Sequence, residues 1–161
     1  MINNIAVNHI TYSTKTVFQA FTSKFKSQLG YHDISQYQML LKIPNSAKEV
    51  EKILHAQEGS SELMLFSTYD HGALLAIKGA PCKAQQYVIG NPLIAARMTE
   101  HDIRAALYAP LRVLVYADPS GNACIEYDLP SSLFGQFKNE KVTEIARELD
   151  QKLVRLVEKS L

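Results

Sequence analysis

LRVLVYADPSGNACIEYD, residues 111–128, holds two seven-residue runs, Leu111–Ala117 and Asn122–Asp128, joined by a short polar link. Within Asp118-Pro119-Ser120-Gly121, proline presets its own φ and glycine accepts a positive one, so the link reads as a tight turn and the stretch as an antiparallel hairpin. Alternation places Ala123, Ile125 and Tyr127 on one face of the second strand and Cys124, Glu126 and Asp128 on the other. Leu111 to Tyr116 is apolar on both faces, the pattern of a central strand covered on each side. The hairpin therefore sets the class: a sheet protein whose central strands need helices to hide them.

Working outward, ELMLFST from Glu62, KAQQYVI from Lys83 and VNHITYST from Val7 supply three more strand candidates. Phe18, Phe21, Phe25 and Leu29 recur at helical spacing before Gly30, and Ile34, Tyr37, Leu40 and Leu41 predict a short helix ended by Pro44. In SAKEVEKILHAQEG, Ser46-x-x-Glu49 is a capping-box pattern, Val50, Ile53 and Leu54 share a face, and Gly59 closes the helix. Thr99-Glu100-His101-Asp102 reads as the N-cap of a helix running to Ala109, which Pro110 stops. In the final segment, Val142, Ile145, Ala146, Leu149, Leu153, Leu156 and Val157 form one apolar stripe on a long C-terminal helix. The expectation is a single α+β domain over residues 1–161, an antiparallel sheet with helices packed mainly on one face.

Composition narrows the functional classes. With 17 Lys plus Arg against 16 Asp plus Glu, the chain lacks the basic excess that a phosphate backbone demands, so nucleic acid is not an expected partner. Two cysteines are too few for a disulfide framework, and MINNIAVNHITYST has neither the basic start nor the apolar run of a secretory signal; a cytoplasmic home is expected. No apolar stretch approaches the roughly 20 residues that span a bilayer, so no membrane partner is expected. The five histidines are scattered without metal-ligand spacing, and no nucleotide or nucleophile-elbow motif occurs. No metal is expected, and the sequence specifies no cofactor.

From about Leu63 onward the chain resembles the domain-of-unknown-function family 302. The likeness is carried by Asp70-His71-Gly72, by Gln86-Tyr87-Val88-Ile89-Gly90-Asn91-Pro92, by Tyr108-Ala109-Pro110-Leu111-Arg112-Val113-Leu114-Val115-Tyr116, and by Gly121 with Ile125-Glu126-Tyr127-Asp128. The resemblance implies a TATA-binding-protein-like arrangement, a curved antiparallel sheet gripping a long helix, and implies no established activity. On this reading residues 62–161 are the family-like core and residues 31–61 a helical insertion.

The junction Gly90-Asn91-Pro92 has two readings. Asn91 is a good N-cap with proline at the first helical position, and Gly90 lets the backbone turn, which alone accounts for all three residues. Alternatively, the exposed N–H groups of the helix start attract a carboxylate or phosphate, with Arg97 and Lys83 near in sequence. His71, just past a strand end and within the family-like pattern, is either a surface residue or a site residue; if the strands pair as supposed, it opens onto the same hollow as Asn91. Tyr127, on the hairpin, and Tyr87, before Gly90, could offer phenols to a cavity. Glu126 and Asp128, on alternate positions, read as a solvated face rather than a catalytic pair. The expected function is binding of a small molecule, an anion being one option, between sheet and helices through His71, Gly90, Asn91, Tyr127, Arg97 and Tyr87. The alternatives are an enzyme with His71 as general acid or base, and a homodimeric interaction module.

Overall fold

A computed structural model describes residue 2 and residues 4–161. The hairpin forms as its turn chemistry dictates. Strands β5 (Leu111–Ala117) and β6 (Asn122–Asp128) pair antiparallel, Gly121 takes φ +86°, and Asp118 Oδ1 accepts from the amides of Ser120 and Asn122, each at 2.8 Å. With β1 (His9–Val17), β2 (Gly30–Tyr31), β3 (Met64–Asp70) and β4 (Ala84–Gly90) they make an open six-stranded sheet of order β1-β6-β5-β4-β3-β2. All pairings are antiparallel except that of the two-residue β2 with β3. The first strand lies slightly later than its expected span, His9–Val17 rather than Val7–Thr14.

One face of this sheet carries the core. Ala123, Ile125 and Tyr127 of β6, Val113 and Val115 of β5, and Tyr87 and Ile89 of β4 pack beneath α1 (Phe18–Ser27) and α6 (Glu140–Glu158). Every residue of the C-terminal stripe, from Val142 to Val157, is buried, and Phe21 and Phe25 of α1 are fully so. The other face is not sealed by a helix. On β5 it shows Arg112 exposed and Leu114 and Tyr116 half-buried, which corrects the expectation of a strand covered on both sides. Cross-strand neighbours do the shielding instead: Tyr116 pairs with Cys124 and its hydroxyl donates to Glu126 Oε1 at 2.8 Å.

The segment before β3 departs most from expectation. Residues Ile34–Gln36 and Leu40–Lys42 form two single 3₁₀ turns instead of one short helix, because Asp33 caps the first through Ser35 and the chain must bend around Tyr37. Helix α2 (Ala47–Gln57) begins after Ser46, but the capping box does not close: the Ser46 hydroxyl donates back to the carbonyls of Leu40 and Ile43. Thr99 is likewise no cap. It lies inside α4 (Pro92–His101), its hydroxyl donating to the Ala95 carbonyl, and Asp102 instead caps the 3₁₀ segment Ile103–Tyr108. The short α3 (His71–Leu74) follows β3, and α5 (Pro130–Gly135) leads into α6.

Two glycines lock the insertion-like segment to the sheet. A Cβ on Gly59 would stand 2.2 Å from the Gln28 carbonyl oxygen, and one on Gly30 would stand 1.8 Å from that of Gln57. Both close approaches are backbone to backbone, so neither can relax by a rotamer change. Gly59→Ala is expected to lower stability by roughly 2–3 kcal/mol, the cost of overpacking a site that cannot yield. Urea denaturation checks this, and a variant within about 0.5 kcal/mol of the parent would contradict it.

Candidate functional site

The chain enters the site through β2. Its parallel pairing, Gly30 with Met64 and Tyr31 with Leu65, brings the next residue, His32, alongside β3, where the His32 amide donates to the Leu65 carbonyl at 3.1 Å. Between Leu65 and Ser67 the β3–β4 register shifts, leaving Phe66 without a cross-strand partner. Such a bulge re-aims a side chain. The Phe66 ring stacks on the His32 imidazole with centroids 4.1 Å apart, and His32 Nε2 lies 2.7 Å from the Tyr37 hydroxyl. Burial holds the imidazole below its usual value, against the opposing pull of Asp33, and raises the Tyr37 phenol.

Opposite stands the Gly90-Asn91-Pro92 junction. Asn91 Oδ1 accepts from the amides of Leu93 and Ile94 at 2.9 and 3.4 Å, while Nδ2 donates to Glu58 Oε1 at 2.7 Å and to the Glu62 carbonyl at 2.9 Å. The expected helix start is thus present with proline in its first turn, but the donors that would attract an anion are already occupied by the Asn91 side chain. Gly90 faces Pro110 and Phe66, whose atoms would lie 3.3 and 3.7 Å from a Cβ. Its missing side chain leaves room there. The result is a cleft of about 400 Å³ bounded by His32, Tyr37, Phe66, the α4 face Pro92-Ala95-Ala96-Thr99, and Ala109-Pro110-Leu111. Its walls are mostly apolar, and among the described residues no Lys, Arg, Asp or Glu lines it.

The other residues singled out from sequence lie elsewhere. His71 and Asn91 do not share a hollow: β3 and β4 run antiparallel, with Met64 opposite Gly90 and Asp70 opposite Gln85, so the two residues sit at opposite ends of the sheet. Expecting them together confused two successive strand ends with one end of the sheet. His71 is exposed, with the Tyr69 ring 6.5 Å away and no hydrogen-bond partner among the described residues, so the expected acid–base arrangement is not formed there. Its neighbours are structural: Asp70 caps α3 by accepting from the Ala73 amide, and a Cβ on Gly72 would meet the Cys82 carbonyl oxygen at 2.1 Å.

Arg97 points away from the cleft and forms a two-pronged pair with Glu148 at 2.8 and 2.9 Å. Tyr87 is a core residue, 5.1 Å from the Phe25 ring, donating to Gln85 Oε1 at 2.6 Å; burial pushes its phenol up to about 12. Tyr127 is also buried in the core, beside Tyr12, and its hydroxyl has no partner among the described residues. Both phenols point into packed core because inward positions of their strands meet α1 and α6 rather than a cavity. Glu126 and Asp128 lie on the open face as expected, but they grip a residue: His9 Nδ1 is 3.0 Å from Asp128 Oδ1 and Nε2 is 3.2 Å from Glu126 Oε2. These hydrogen bonds, Asp128 first and Glu126 second, raise the exposed His9 imidazole.

The family model for the domain of unknown function DUF302 matches residues 39–160. The chain belongs to the DUF302 family. A crystal structure of an uncharacterized conserved DUF302 protein from Bacillus stearothermophilus is similar over 95% of this chain and 98% of that one, with a TM-score of 0.65 at 15% identity. At that identity the likeness speaks for the fold. No curated protein matches the chain. Among the described residues of this DUF302 protein, no helix is long and apolar enough to cross a membrane. The cleft is contributed by residues on both sides of the match boundary, since His32 and Tyr37 precede it and Gly90 to Leu111 fall within it.

Two outcomes follow from this geometry. Asn91→Ala should cost about 2 kcal/mol, the high end for a lost cap, because the Glu62 carbonyl loses its partner too. Asn91→Asp, ordinarily an equal cap, should also destabilise because its carboxylate would face that of Glu58. Thermal melts of both variants test this, and an Asp variant as stable as the parent would contradict the geometry. In an NMR titration, His9 should titrate above the ordinary value of 6.5 and His32 below it. By linkage, the His32 contribution to stability is present above pH 6.5 and lost as pH falls through its folded value. That of His9 is present below 6.5 and lost as pH rises through its own. The reverse order of titration would refute both environments.

Proposed function

We propose that this DUF302 protein binds a small, uncharged, largely apolar molecule bearing one hydrogen-bonding group in the cleft between the end of the sheet and α4. The observation that carries this reading is an apolar cleft of about 400 Å³ whose wall holds the hydrogen-bonded pair His32 and Tyr37. That volume falls in the range of ligand sites, which combine apolar walls with a few placed polar groups. Whichever partner carries the bridging proton, the Tyr37 oxygen keeps a further hydrogen-bond position for a ligand hydroxyl, which can either donate or accept.

An anion is disfavoured by the same residues. The α4 amides are capped, Arg97 is paired, and burial lowers the His32 pKa, disfavouring its cationic form. The reading therefore keeps the cleft expected between sheet and helices, with Gly90 and Asn91 in its wall, and replaces His71, Tyr127, Arg97 and Tyr87 by His32, Tyr37, Phe66 and Pro110 as the residues that meet the ligand.

The test is amide-shift NMR with 1-butanol and phenol as probes. Perturbations are expected at Gly90, Ala95, Thr99 and Ala109, and Ala95→Phe, which puts a ring into the cleft from a half-buried position, should weaken binding at least ten-fold. An absence of shifts at these residues at tens of millimolar, or undiminished binding by the Ala95→Phe variant, would remove the proposal.

A further inference from the structure

Resting on that reading of the cleft, we propose that its ligand is a linear amphiphile with an uncharged head, whose aliphatic chain crosses the rim at Ala96 and lies in a second groove between α2 and α4. This groove, about 520 Å³, is bounded by Leu41, Ile43, Val50, Leu54 and Leu93. It meets the cleft along a shared wall of Tyr37, Pro92 and Ala96. Pro92 and Ala96 are four apart on one helix and so occupy one face. The residues shared by the two spaces are therefore a prolyl ring, a methyl group and one phenol, and Ala96 among them is exposed.

The occupant follows from what the walls can and cannot satisfy. Leu41 and Ile43, 61% and 54% exposed, hold aliphatic surface at the groove's rim, where a second aliphatic surface would remove it from water. A methylene chain brings no polar groups needing partners. An extended peptide would bring an amide and a carbonyl at every residue, and the groove's uncharged polar side chains are too few to meet them: beyond Asn45 and the Tyr37 phenol there is the Ser46 hydroxyl, already donated to Leu40 and Ile43. Charge sets the head group. Among the described residues the groove's one acidic or basic side chain is Glu51, which disfavours a carboxylate, and no Lys or Arg lines the cleft to hold one. A hydroxyl head instead finds the open hydrogen-bond position on Tyr37, in the shared wall. Tyr37 thus serves both halves, its ring against Val50 and Leu54 and its oxygen against His32.

A series of 1-alkanols from butanol to decanol tests this on the full chain. Affinity should rise about four-fold per added methylene along the whole series, as expected for continued burial of chain. Leu41→Asn and Ile43→Asn alter exposed positions of the groove alone. They should leave butanol affinity within two-fold and weaken decanol ten-fold or more. Independently of the variants, decanol and not butanol should shift the amides of Leu41, Ile43 and Ala47 in the parent protein. If butanol binds but decanol binds no tighter than hexanol, or if decanol leaves those amides unmoved, the second groove is not part of the site and only the cleft stands. If no alkanol of the series binds, the reading of the cleft falls and the extension falls with it.

Discussion

The Asn91 side chain is the point at which three otherwise separate pieces are tied. Its oxygen caps α4, and its amide nitrogen reaches both the Glu58 carboxylate at the end of α2 and the Glu62 carbonyl before β3. A buried amide can make few more hydrogen bonds than these, and an unfulfilled one would be costly in the interior. Together with the packing of Leu93 on α4 against Val50 and Leu54 on α2, these bonds hold the two helices in place. Both the cleft and the groove between the helices inherit their width from that constraint.

Around this tie the remaining site falls into place by backbone pairing. The two-residue β2 is too short to contribute much sheet energy, yet its register decides that His32 meets Phe66 and not solvent. The β3 bulge turns Phe66 toward the cleft, and Gly90 leaves the floor clear. Lys152, buried on α6, reaches Glu62 and holds the start of β3 from the other side, its ammonium lowering the pKa of that carboxyl. The apolar walls come from the same residues that finish the core, which is why the cavity and the packing cannot be varied independently.

Patterns with local causes were readable in the sequence. The hairpin at Asp118–Gly121, the cap at Asn91-Pro92 and the α6 stripe each depend on neighbours within a few positions, and the α+β class followed from them. The site was readable only at Gly90 and Asn91. His32 and Tyr37 sit in a segment with no clean period, and nothing in HDISQY marks a meeting with Phe66, 34 positions on from His32, because only the strand register creates it. His71 misled for the converse reason. Its surroundings, Asp70 and Gly72, answer to a turn and a close backbone approach rather than to a ligand. Ser46 and Thr99 show the same limit on a smaller scale, since a hydroxyl can cap forward or bond backward and the choice is made by the fold.

The two margins of the sheet have a bearing on self-association. An unpaired strand edge is a template for a neighbour's backbone, and long flat edges seed aggregates. Here one margin is only two residues long, and the other, β1, breaks register between Ser13 and Val17 and sets the charged Lys15 and the carboxylate-held His9 on its outer surface. Neither offers the uninterrupted ladder that fibril growth requires. The sheet can thus stay open, with a broad uncapped face, without inviting copies of itself to add strand by strand.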